Sequence, residues 1–162
     1  RLGLPVLRFN FRGAGMSEGR HDEGRGERED VRAAIEFLAE TFSETQILLA
    51  GFSFGASVGL RVGCGDDRVA ELVGLGLPAN NFDLSFLQPC GKPKLFVQGG
   101  QDQFGSQENV EKVVSKLPEP KRLVIVEGAD HFFAGKLDQV QKAVNAWMLE
   151  LHPELQDARG AA

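Results

Sequence analysis

The stretch Gln46-Ile47-Leu48-Leu49-Ala50-Gly51-Phe52-Ser53-Phe54-Gly55-Ala56-Ser57 decides how the rest of the chain is read. Its first five residues form a short continuous apolar run, the pattern of a strand buried on both sides. A G-x-S-x-G motif follows, Gly51 to Gly55, and then small residues (Ala56, Ser57, Gly59) that let a helix sit close on a sheet. The motif alone says little in a chain with 20 glycines, because a Gly-rich strand–helix turn with an incidental serine is equally compatible. In the strand–turn–helix setting it describes a nucleophile elbow. The serine sits on a sharp turn, its glycines stand where a side chain would collide, and its oxygen is lifted above the sheet at a helix N-terminus.

Outward from the motif, strand and helix signals alternate. Pro5–Phe11 has the aromatic and β-branched character of a strand, residues 12–28 read as a polar Gly-rich loop, and Glu29–Phe42 as a helix with Val31, Ala34, Ile35, Leu38 and Phe42 on one face. After the helix from Gly55 to about Val62 come strands at Val69–Leu77, Lys94–Gln98 and Arg122–Val126. A helix is predicted at Val110–Leu117, and a closing helix at Leu137–Leu151 with Val140, Val144, Trp147 and Leu151 inward. Five strands separated by helices predict one α/β domain over residues 1–152 with a mostly parallel sheet. Residues 153–162 read as a flexible tail.

A serine hydroxyl needs a base to take its proton and a carboxylate to orient that base, here in the chain order Ser…Asp/Glu…His. His131, between the strand Arg122–Val126 and the last helix, suits the base, and a helix-capping role is the alternative. His21 precedes the serine and His152 lies in the tail. Asp102, just after Lys94–Gln98, suits the acid, although Asp after Gly-Gly is also common in plain turns. Asp83, after the preceding strand, competes with it. Asp130 adjoins His131 and is badly placed for the far ring nitrogen.

Four segments carry a resemblance: V-L-R-F-N-F-R-G-A-G-M-S-E-G (6–19), G-F-S-F-G (51–55), P-K-L-F-V-Q-G-G-Q-D (93–102) and E-G-A-D-H-F-F (127–133). In this order they resemble the α/β-hydrolase superfamily, close to its small lidless bacterial serine hydrolases. The resemblance implies a three-layer fold and a Ser53–Asp102–His131 triad. It also implies the Phe54 backbone N–H as an oxyanion donor, and acyl transfer to water with no cofactor or metal. On this alignment Pro5–Phe11 is strand 4 and Gln46–Ala50 strand 5. Strands 1–3, with the loop that supplies a second oxyanion donor, have no counterpart in the sequence, which is therefore expected to be the C-terminal portion of a longer hydrolase.

The expected function is cleavage of a small ester-like substrate. The alternatives are a peptidase or thioesterase on the same triad, or a non-catalytic hydrolase-fold binding module. No room for a helical cap exists between Pro78 and Pro93, so the cleft is expected to be open. Phe52, Phe54, Phe82, Phe86, Phe104 and Phe132 are candidates to line it as an apolar acyl pocket, each being an equally good core residue.

Composition narrows the field further. The chain has 162 residues, 42% apolar, with 18 basic against 23 acidic side chains and a net charge of −5. It gives no basic footprint for nucleic acid or anionic membrane. Tyrosine is absent, which excludes tyrosine-based general acids. Gly13, Gly15 and Gly19 only faintly approach a dinucleotide fingerprint, since the third glycine is one place late and an acidic loop follows. Cys64 and Cys90 make no C-x-x-C pair, His21, His131 and His152 are too scattered for a zinc site, and a reducing, cytoplasmic setting is expected.

Overall fold

A computed structural model describes residues 4–43 and 45–157. Among these, four strands form the sheet: β1 (Ile47–Phe52), β2 (Val69–Leu75), β3 (Lys94–Gly99) and β4 (Lys121–Val126), all parallel and in the spatial order 1-2-3-4. The helices are α1 (Arg25–Thr41), α2 (Phe54–Gly65), α3 (Gln107–Ser115), α4 (Leu137–Leu151) and the single turn α5 (Glu154–Asp157). Side-chain alternation along the strands separates two cores, as the pleat requires. Leu72 and Phe96 face α1, α2 and α3, whereas Val73, Leu95 and Val97 face α4. The result is helix–sheet–helix, the three layers expected of the sequence. None of the described helices is long and apolar enough to cross a membrane.

Several sequence expectations are corrected. Pro5–Phe11 joins no ladder among the described residues: Val6 is 79% exposed, and Phe11 is the residue of this stretch that packs on the core. Strand character in the sequence needs a neighbouring strand to satisfy its backbone groups, and the described sheet pairs four strands, not five. Among the described residues β1 likewise has a ladder partner on one side only, and it is half-exposed rather than buried on both sides. Along α4, Met148 is buried while Leu151, the last residue of the helix, is exposed. The tail begins with α5, whose Leu155 packs against the α4 core; the rest of it, 158–162, lies outside the described residues.

The segment 12–28, read from the sequence as a polar Gly-rich loop, is the largest departure. α1 starts inside it, at Arg25, and Glu27 is fully buried. As the third residue of the helix, Glu27 accepts hydrogen bonds from the N–H groups of Asp22 (2.7 Å) and Gly24 (2.9 Å), with Nδ1 of His21 at 2.8 Å. Burial opposes the charge, but the backbone N–H groups outweigh it and hold the Glu27 carboxyl below the usual range. The Arg12 guanidinium grips Asp30 through Nε and Nη2, fastening the loop's start to the same helix. Thus a polar loop folds by satisfying its polar groups internally.

Candidate active site

All four strands end on one edge of the sheet because they are parallel, so the loops after β1, β3 and β4 converge there. Ser53 follows β1 directly with φ +53° and ψ −120°, a conformation costly for a side chain with a Cβ. Its N–H donates to the Leu75 carbonyl of β2 at 2.9 Å, and its own carbonyl accepts the first bonds of α2 from Ala56 and Ser57. The turn is tight enough that a Cβ on Gly51 would lie 2.5 Å from the Gly55 carbonyl oxygen. Gly55 differs from the sequence expectation, since an added Cβ there would meet only Phe11, at 3.9 Å. Phe54 is the first residue of α2, and its N–H has no carbonyl one turn earlier in the helix to bond.

Asp102 and His131 arrive from β3 and β4. His131 Nε2 lies 2.8 Å from Ser53 Oγ, and its Nδ1 lies 2.7 Å from Asp102 Oδ2. A carboxylate only accepts, so Nδ1 carries the proton and Nε2 is left as the acceptor for the serine hydroxyl. Both His131 and Asp102 are buried, while Ser53 is partly open. The three residues picked out in the sequence therefore stand in one continuous hydrogen-bonded chain.

Asp83 takes no part: it is exposed and accepts hydrogen bonds from the Ser85 N–H and hydroxyl, both at 2.9 Å. Asp130 accepts from the N–H groups of Phe132 and Ala134, shaping the turn that carries His131. His21 stacks near the Phe54 ring, centroids 5.2 Å apart. His152 bonds to Glu71, near the start of β2, and to Glu154, away from the strand ends that carry the triad. Gln98 escapes the sequence reading and is fully buried beneath the acid. Its Nε2 donates to Asp102 Oδ2 and to the Gly105 carbonyl, both at 2.8 Å, while its Oε1 accepts from the Leu77 N–H at 2.7 Å. The signal that could have found it is a polar residue ending the apolar run L-F-V. Asp102 Oδ1 completes the network by accepting from the N–H groups of Phe104 (2.8 Å) and Gly105 (3.1 Å).

The six phenylalanines expected to line one pocket are divided. Phe52, Phe104 and Phe132 surround the His131 ring, with centroids 5.0, 4.7 and 5.3 Å from it. Phe54 packs with Phe11, His21 and Phe82. Phe86 lies under the Arg61 guanidinium, 4.2 Å from its ring, and packs on the core. The segment between β2 and β3 carries one short 3-10 turn, Ser85–Leu87, in place of a helical cap.

Among the described residues no cluster of His, Cys, Asp and Glu is arranged to hold a metal ion. Residues 1–149 match the family model described as an alpha/beta hydrolase domain. An uncharacterized protein of Rickettsia prowazekii is 34% identical over 158 residues, covering 92% of this chain and 66% of its own. Among solved structures, an alpha-beta serine hydrolase homologue from Coxiella burnetii is 39% identical with TM-score 0.77, covering 83% of this chain and 64% of its own. An a/b serine hydrolase without lid from Xanthomonas campestris is 33% identical with TM-score 0.82, the corresponding shares being 89% and 65%. The chain spans a little under two thirds of the length of each of these three proteins.

Proposed function

The chain belongs to the alpha/beta-hydrolase family, and from that premise we propose that it is a serine hydrolase cleaving small ester-like substrates through an acyl-enzyme. The observation that carries the proposal is the unbroken chain Ser53 Oγ–His131 Nε2 and His131 Nδ1–Asp102 at 2.8 and 2.7 Å. Ser53 Oγ attacks the carbonyl carbon as its proton passes to His131 Nε2, leaving an imidazolium balanced by Asp102. The negative charge that develops on the carbonyl oxygen is met by the Phe54 N–H and by the positive end of α2. His131 then gives the proton to the departing alkoxide, and the acyl group remains on Ser53. Water, deprotonated by the same nitrogen, releases the acid and restores the serine.

An ester is favoured over a peptide by the half-exposed phenylalanine rings beside the chemistry, which offer apolar contact and no hydrogen-bond partners for peptide N–H and C=O groups. A fluorophosphonate probe tests the reading. Labelling of the protein that disappears in Ser53→Ala is the expected result; a protein that neither labels nor hydrolyses aryl acetates is not a serine hydrolase.

A further inference from the structure

Each member of the Ser53–His131–Asp102 chain brings a phenylalanine with it. Phe52 immediately precedes Ser53 at the end of β1; Phe132 immediately follows His131; Phe104 stands two residues after Asp102. Their positions are held by the backbone of the site itself. The Phe104 N–H donates to Asp102 Oδ1 at 2.8 Å, the Phe132 N–H donates to Asp130 Oδ1 at 3.1 Å, and Phe52 is in register with Leu75 of β2. All three rings lie within 5.3 Å of the imidazole centroid, and Phe52 and Phe132 are 6.2 Å from each other. Yet they remain 40%, 40% and 63% exposed. Rings serving only as core would be covered; these shield the imidazole with one surface and leave another uncovered.

We propose that Phe52, Phe104 and Phe132 form the leaving-group wall of the site, so that the alcohol released is apolar and ring-bearing, of the benzyl type. This rests on the serine-hydrolase reading. The reason is where the proton must go. In acylation the proton on His131 Nε2 is delivered to the departing oxygen, which must therefore lie within about 3 Å of that nitrogen. Whatever is attached to that oxygen then leaves from beside an imidazole ring that the three phenylalanines flank at 4.7–5.3 Å, each with an uncovered surface. The acyl group is held instead through the carbonyl carbon bonded to Ser53 and the oxygen near the Phe54 N–H. Phenyl surfaces supply offset or edge contact to another ring and no donor or acceptor, so a leaving group with hydroxyls would forfeit its hydrogen bonds to water there.

The test compares benzyl acetate with 2-hydroxyethyl acetate, which share the acyl group and differ in the alcohol. Because kcat/KM reports steps only through acylation, the common deacylation does not enter the comparison. Benzyl acetate is expected to have the higher kcat/KM by about tenfold, and Phe132→Ala and Phe104→Leu are each expected to shrink that ratio severalfold. A second series of ethyl esters with acetyl, butyryl and phenylacetyl groups should show the same acyl preference in Phe132→Ala as in the wild type. Equal kcat/KM for the two acetates in a protein that labels at Ser53 overturns the leaving-group assignment alone. So does an unaltered ratio in both variants, which would mean the rings only shelter His131. Failure to hydrolyse either ester, together with no labelling at Ser53, overturns the hydrolase reading and the assignment with it.

Discussion

Replacing Asp102 by Asn removes one charge and keeps the shape, and the hydrogen bonds around it dictate the consequence. Oδ1 of Asp102 accepts from two backbone N–H groups, those of Phe104 and Gly105. The Asn oxygen must stay on that side, which puts its NH2 where Oδ2 now is. There it faces Gln98 Nε2, itself a donor at 2.8 Å, and His131 Nδ1 at 2.7 Å. Gln98 cannot turn over to help, because its Oε1 is taken by the Leu77 N–H and its Nε2 by the Gly105 carbonyl. The Asn NH2 therefore donates to Nδ1, and the imidazole proton moves to Nε2, which then donates toward Ser53 Oγ and no longer accepts from it. The base is lost while the fold is kept. Loss of about 10⁴ in kcat is expected, some 5 kcal/mol of transition-state stabilisation. The donor–donor contact with Gln98 should also cost about 1–3 kcal/mol of stability. The assay is steady-state hydrolysis of phenyl acetate, with urea unfolding in parallel and Asp83→Asn as the control. The control is expected to stay within about twofold, since Asp83 is exposed and accepts from Ser85, away from the imidazole. A folded Asp102→Asn protein that keeps more than about a tenth of the wild-type kcat would refute the assignment of Asp102.

Two further expectations concern groups away from the triad. Glu27→Ala leaves the Asp22 and Gly24 N–H groups without their carboxylate acceptor and should lower the unfolding free energy by roughly 3 kcal/mol, read from urea titration; a loss below about 0.5 kcal/mol would show that water replaces the carboxylate. His152 gives a pH dependence: burial disfavours its charge, but the hydrogen bonds and charges of Glu71 and Glu154 outweigh this and raise it above the ordinary value of 6.5. Its contribution is full below the unfolded value and is lost as pH rises through the raised folded one. The urea midpoint should therefore fall more between about pH 6 and pH 9 in the wild type than in His152→Gln, and equal falls would contradict it.

Elements whose stabilisation is local were legible in the sequence. The helices α1 and α4 announced themselves by the spacing of Val31 and Ile35, and of Val140 and Trp147. The elbow was legible because its constraint is steric and acts over five residues, Gly51 standing against Gly55 and Ala56. Ser53, Asp102 and His131 could be named since each follows a strand, and parallel strands bring their ends to one edge. Glu27 was missed because a buried carboxylate looks like any other acid until its N–H donors are in place.

Gln98 and Pro5–Phe11 mark the other limit. Nothing in K-L-F-V-Q tells that the last side chain will tie Leu77, Asp102 and Gly105 together, because those partners lie in the separate loops after β2 and β3. Nothing in P-V-L-R-F-N-F tells whether a ladder partner will lie beside it. The division among the phenylalanines was likewise hidden: side chains identical in composition became a wall around His131, a packing group around Phe54, or a seat for Arg61. By itself the sequence determined most of the secondary structure around the sheet and the elbow that carries Ser53, both set by short-range sterics and periodicity, while chain order pointed to His131 and left Asp102 and Asp83 as competing acids. Tertiary structure decided which of two loop carboxylates reaches the imidazole, which polar group supports it and which rings surround it, because the contacts that build the site join residues up to 78 positions apart and exist only once the chain is packed.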